Sequence, residues 1–212
     1  MQTKAVEELD DVQMALARLG VPIQILQEAV QAGYVSRISR TTNDAPNAPG
    51  FYQWNDTLRN LCENMKGLEW QRDDSGNWPT IVHPKKVLAI AVSSGNKNTG
   101  KAHAMPSTKN AKGTRTTNAV SINANQPWLP GFEFMQSDQD AEKSHPTWFL
   151  LFYTDEKELR AELSLPVKMD SEGHVSEWRE RIILPTLSLD PEIKIPKPDF
   201  GPDVDIKIAR KG

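Results

Sequence analysis

The chain has 212 residues, enough for one large domain or a domain with attached arms, and its formal net charge of -3 excludes any argument from overall basicity to a polyanionic partner. An apolar fraction of 38%, with 15 prolines and 12 glycines, lies below the ~45–50% usual for globular domains and implies long extended connections. One cysteine, Cys62, excludes an internal disulfide framework; with no apolar run near ~20 residues and no secretory-type start, the chain is expected to be soluble and cytoplasmic, with no membrane contact.

The first 34 residues predict a helical hairpin. "AVEELDDVQMALARLG" stops at Gly20, and "VPIQILQEAVQAG" restarts with Pro22 and stops at Gly33, using proline just inside a helix start and glycine just past its end. The pair resembles a helix-turn-helix in outline. Its second helix, "IQILQEAVQAG", contains no Arg or Lys, whereas a helix reading a major groove needs donors for phosphates and bases. A packing hairpin is the expected role, and a transcription regulator is the alternative.

"RISRTTNDAPNAPG" reads as a polar linker. In "FYQWNDTLRNLCENMKG", Trp54, Leu58, Leu61, Cys62 and Met65 fall on one stripe at helical period, and Gly67 closes the helix. Cys62 lies on that stripe, as a core residue does. Beyond residue 68 the period changes to short β-branched and aromatic runs: "LEWQRDDSGNWPTIVHP", a hairpin around Asp73–Gly76, then "KVLAIAVSSG", "NAVSINA", "TWFLLFYT", "AELSLPVKM" and "SEWRERIILP", each predicting a strand. A second hairpin turns at Asp170-Ser171-Glu172-Gly173. "TLSLDPEIKIPKPDFGPDVDIKIARKG" (186–212) is a proline-punctuated tail, read as an extended arm. Its Ile193, Ile195, Phe200, Val204, Ile206 and Ile208 are candidate partner-binding residues, since apolar side chains on an arm need a surface to cover them.

"GNKNTGKA" (95–102) comes within one residue of the G-x-x-x-x-G-K-[ST] phosphate loop. Ala102 stands where the magnesium-binding hydroxyl belongs, and the following residues carry no helical period to supply oriented amides. No nucleotide, metal or other cofactor is therefore expected. Catalytic residues do not assemble either: the four histidines (83, 103, 145, 174) form no His-x-x-x-His pair, and there is no G-x-S-x-G elbow. The nuclease-like pairs Asp155-Lys157, Glu192-Lys194 and Asp205-Lys207 fall in a turn and in the tail, not on a strand pair that holds a metal.

The informative feature is local charge. Residues 95–118 contain Lys97, Lys101, Lys109, Lys112 and Arg115 and no acid, an excess in an acidic chain that makes these five the candidate nucleic-acid-binding residues. A solvated connection is the alternative, against which stands the length of the segment.

The runs "SRISRTTNDAPNAPGFYQWNDTLRNL", "GNKNTGKAHAMPSTKNAKGTRTTNAV" and "ELSLPVKM…VSEWRERIILP" resemble uncharacterised bacterial proteins found beside helicase and restriction-type genes in mobile-element or phage-defence loci. The resemblance covers most of residues 35–185. It implies a bacterial cytosolic setting and partner proteins that act on DNA, and no activity or catalytic residue.

The sequence thus predicts an α+β protein: an N-terminal helical hairpin (1–34), an α+β domain (35–185) with a mostly antiparallel sheet packed on the amphipathic helix, and the arm (186–212). The expected function is a non-catalytic subunit of a DNA-directed multiprotein assembly, docking a protein partner through its arm, with nucleic acid as the candidate ligand of the basic loop. A small hydrolase or nuclease with an unrecognised site is the competing class.

Overall fold

The computed structural model describes residues 3–125 and 145–189. In chain order the elements are β1 (Lys4–Val6), α1 (Leu9–Arg18), α2 (Ile23–Ile38), α3 (Ala48–Lys66), β2 (Gln71–Asp73), β3 (Thr80–Val82), β4 (Ala89–Ser94), α4 (Thr114–Asn125), β5 (Thr147–Thr154), β6 (Glu158–Met169), β7 (Val175–Ile183) and β8 (Leu187–Ser188). The fold is α+β, as its sequence implies. The sheet is 8-stranded in the order β1-β7-β6-β5-β4-β3-β2, with β8 beside β6, and its pairings are antiparallel except β1 with β7 and β4 with β5.

Helix α1 ends as foreseen. Gly20, at φ 68°, lets its own N–H reach Ala17 O and the Val21 N–H reach Leu16 O, the paired bonds of a Schellman stop, with Val21 and Leu16 both buried behind it. Gly33 does the opposite of its expected job. Helix α2 runs straight through it to Ile38, so the boundary drawn at residue 34 falls inside a helix. A Cβ at this position would lie far inside van der Waals contact with Thr57 Oγ1 and with the Gln53 carbonyl. Gly33 is a packing residue at which the α2 and α3 backbones meet, so the stop signal it sends in sequence is overridden by tertiary contact.

Helices α1, α2 and α3 cover one face of the sheet. Leu16, Leu26, Val30, Leu58, Leu61 and Met65 from the helices interlock there with Ile90, Trp148, Leu150, Leu163 and Ile182 from the strands. The α3 stripe is therefore the one the period marked, with Trp54 and Cys62 at its half-buried margin; burial pushes the Cys62 thiol up from its ordinary pKa. Leu58 is 3% exposed, and Leu58→Ala is expected to destabilise by about 3 kcal/mol, the transfer and cavity terms together. Thermal unfolding checks it, and an unchanged melting temperature would place that stripe outside the core. Strand β5, "TWFLLFYT", is central and apolar along most of its length because both faces are covered.

The second face carries a smaller cluster, Ala91, Val120, Phe149, Leu151, Val175 and Trp178, beneath the long crossover that joins parallel β4 to β5. Here one expectation is corrected: "NAVSINA" belongs to helix α4, not to a strand. Its buried residues are Thr116, Ala119, Val120 and Asn123, at i, i+3, i+4 and i+7, a helical stripe hidden in sequence because two of its four members are polar. Asn123 is there for the sheet. Its amide donates to Thr147 O and Pro166 O, and its carbonyl accepts from Thr147 N–H, each at 2.9 Å, tying β5 to β6 where the ladder shifts register around Pro166. A second unforeseen element is β1, which the sequence pattern places in the first helix; it pairs in parallel with β7, Lys4 opposite Glu180.

A strapped loop and a candidate anion-binding cleft

The segment from Gly95 to Gly113 is a folded strap across the second sheet face. It leaves β4 with Gly95 N–H on Phe152 O (2.8 Å), closes on itself through Asn96 N–H to Ser107 O (2.9 Å), and returns to the sheet end through Lys109 N–H to Ser94 O (2.9 Å). It is held to the sheet by charge-assisted hydrogen bonds from two arginines to its carbonyls. Arg160 of β6 donates to the carbonyls of Thr99 (2.8 Å) and Lys97 (3.1 Å); Arg181 of β7 donates to those of Ala104 (2.9 Å) and Lys101 (3.1 Å). Arg181 also grips Glu162 through Nε to Oε1 (3.1 Å) and Nη2 to Oε2 (2.6 Å), and Glu162 takes further bonds from Ser164 Oγ (2.8 Å) and Gly100 N–H (2.9 Å). Trp178 donates its indole N–H to Pro106 O (2.8 Å).

This geometry answers the phosphate-loop resemblance by polarity. A phosphate loop turns N–H groups toward an anion and opens a helix. In "GNKNTGKA" the carbonyls converge on two guanidinium groups, the Gly100 N–H is spent on a carboxylate of the same chain, and the next helix begins only at Thr114. Gly100 is required where it stands: its φ is +72°, and a Cβ would come within 2.8 Å of Arg160 Cβ.

The five candidate cations do not stay together. Lys97 and Lys101 belong to the strapped stretch, their side chains exposed. Arg115 opens α4 and lies against Gly76 in the β2–β3 connection. Lys109 and Lys112, at the far end of the strap, turn to a different neighbourhood, a cleft of about 940 Å³ between the end of α2, the start of α3 and the carboxyl end of β4. Arg37 and Arg40 face it from the helical side, Phe51 and Trp54 form part of its wall, and among the described residues that line it there is no Asp or Glu. The cleft opens at the carboxyl end of β4, which runs parallel to its neighbour β5.

The electrostatics favour an anion. Burial pushes the Lys112 ammonium below its ordinary pKa, a penalty that a bound anion offsets. Beside the cleft, Asp44 accepts from Thr41 N–H (2.7 Å) and Tyr52 O–H (2.9 Å), which with the charge of Arg40 holds its pKa below the usual carboxylate value. It stays ionised and offsets part of Arg40, leaving Arg37, Lys109 and Lys112 as the stronger attractors. Arg37 rests on Gln53 Oε1 at 3.4 Å, a long bond easily exchanged for a phosphate oxygen.

The sequence pattern does not mark Arg37, Arg40 or Phe51, and it marks Trp54 only as a member of the core stripe. The signal was available in "SRISR" and "FYQW", but a polar linker and a core stripe absorbed them. Of the nuclease-like pairs, Asp155 caps its own turn, accepting from the N–H groups of Lys157 (2.9 Å) and Glu158 (3.0 Å), while those at 192–194 and 205–207, like Ile193, Ile195, Phe200, Val204, Ile206 and Ile208, lie outside the described residues. Among the described residues no group of His, Cys, Asp and Glu is placed to hold a metal ion, and no helix is long and apolar enough to cross a membrane. Comparison with protein-family models, curated proteins and solved structures finds no match for this chain.

Proposed function

We propose that this protein is a non-catalytic, nucleic-acid-binding subunit of a bacterial assembly that acts on DNA, and that it grips the phosphate backbone in the cleft between α2, α3 and the Lys109–Lys112 segment. The observation that carries the reading is a concave site where four cationic side chains meet with no acid among its described lining residues in a chain whose net charge is -3. A local concentration of cations of this kind steers a polyanion to one place on the surface. The partner is assigned to the arm at 186–212 on the strength of its sequence and of the resemblance to proteins encoded in defence and mobile-element loci.

The test is the salt dependence of binding. Phosphate contacts release counterions, so affinity for a labelled duplex falls with salt at a logarithmic slope of roughly 0.9 per contacted phosphate. Replacing both Lys109 and Lys112 by Ala is expected to lower the affinity and reduce that slope by about two contacts' worth. Folding should survive, since burial already disfavours the Lys112 charge and Lys109 is exposed. A double variant that binds DNA with the parent slope would remove the cleft from the reading.

A further inference from the structure

We infer that the nucleic acid held in this cleft is single-stranded, with a nucleobase stacked on Phe51, an inference that rests on the nucleic-acid reading above. Phe51 stands in the first turns of α3 with 57% of its surface exposed, next to Arg37, Arg40, Lys109 and Lys112 on the same cleft. It is not a loose side chain. Its ring lies 5.9 Å from that of Trp54, tilted by 45°, and 6.4 Å from that of Tyr52. Trp54 is in turn fixed by its indole N–H on Val92 O (3.1 Å), and Tyr52 by its hydroxyl on Asp44.

An exposed aromatic, braced by two anchored rings and flanked by cations, has the composition of a stacking platform for single strands, in which basic groups follow the backbone and a ring receives a base. A duplex satisfies only half of this site. Its phosphates reach the cations, but its bases are stacked on one another and offer no face to Phe51. Ile38, 40% exposed at the end of α2 and on the same cleft, extends the apolar surface that a base would cover. A neighbouring pocket shares Arg37, Gly50, Ser94 and Lys109 with the cleft, and in it the Gln53 amide is already held by Thr154 Oγ1 at 2.6 Å.

The experiment uses the full chain with oligo(dT), oligo(U) and a mixed-sequence DNA duplex of equal length, and the variants Phe51→Ala, Phe51→Trp and Lys109→Ala/Lys112→Ala. Phe51→Ala is expected to bind both single strands about tenfold more weakly, the effect of one lost base–ring stack, with an unchanged salt slope and unchanged duplex binding. Phe51→Trp should restore single-strand affinity, and the lysine variant should lower affinity and slope together. Equal loss on oligo(dT) and oligo(U) identifies the base and phosphate as the shared determinants, while a loss on one alone assigns the site to DNA or to RNA. If the lysine variant weakens binding and Phe51→Ala does not, or if the parent prefers the duplex, the single-strand inference is overturned and the nucleic-acid reading stands. If the lysine variant changes neither affinity nor slope, both fall. Melting temperatures close to the parent's certify that each variant is folded, as the exposure of Phe51 leads one to expect.

Discussion

Replacing Gly33 by Ala is expected to lower stability by about 3 kcal/mol, the upper part of the range for overpacked cores. The sign is informative because local physics points the other way: in the middle of a helix, Ala is favoured over Gly by roughly 1 kcal/mol. What reverses it is the new methyl group driven into the Gln53 carbonyl and Thr57 Oγ1. Neither can retreat. The carbonyl is α3 backbone, and Thr57 is fully buried with its hydroxyl already on that same carbonyl at 2.7 Å. Helix α3 would have to move off α2, opening the layer that contains Leu26, Val30, Leu58 and Leu61. Gly50 is the control, since a Cβ there meets nothing within 4 Å and Gly50→Ala should stabilise by a few tenths to about 1 kcal/mol. Paired thermal melts decide the matter, and a Gly33→Ala variant that melts above the parent would show that the two backbones are not in contact.

Removing one partner of the Glu162–Arg181 pair should destabilise by about 3–5 kcal/mol, because the survivor is left as a buried, uncompensated charge. Glu162 is 0% and Arg181 1% exposed, so water cannot take over. Arg181→Met strands the carboxylate and also deprives Lys101 O and Ala104 O of their donor. Glu162→Gln keeps the shape but weakens the charge-assisted bonds and leaves the guanidinium without its counter-charge. Chemical denaturation measures the loss, and limited proteolysis should show new cleavage between residues 97 and 112 as the strap lifts. A joint replacement, Glu162→Leu with Arg181→Met, is expected to cost less than the two single losses added together, since no lone charge remains. Single variants as stable as the parent would mean that the strap is held by other contacts.

The parts of this fold that are legible in sequence are those in which a local signal and the tertiary outcome agree. The α3 stripe, the Gly20 stop, the central apolar β5 and the hairpin at Asp170–Gly173 are of that kind. Elsewhere tertiary contact decides. Gly33 carries a stop signal and is used for close approach. Thr116 and Asn123 make the α4 stripe look polar, and their burial has meaning only beside a shifted ladder that the sequence does not display. The basic residues were legible as a charge excess, but not as a site. Strapping by Arg160 and Arg181 divides the five cations into separate groups, and the cleft is completed by Arg37, Arg40 and Phe51, which stand more than forty positions earlier in the chain.

The strap is gripped almost wholly by its main chain: the carbonyls of Lys97, Thr99, Lys101, Ala104 and Pro106 receive the guanidinium and indole donors. A carbonyl is the same whatever side chain accompanies it. The outward side chains at 97, 101, 103 and 105, all exposed, are thus uncoupled from the shape of the segment that bears them. Gly95, Gly100, the buried threonines at 99 and 108, and the side chains of Asn96 and Asn98, which bond within the strap, are tied to the frame. The outer surface of the strap is in effect a rigid display, on which the chemistry offered to the surroundings can be rewritten one residue at a time, or foreign side chains grafted, while the platform beneath keeps its form.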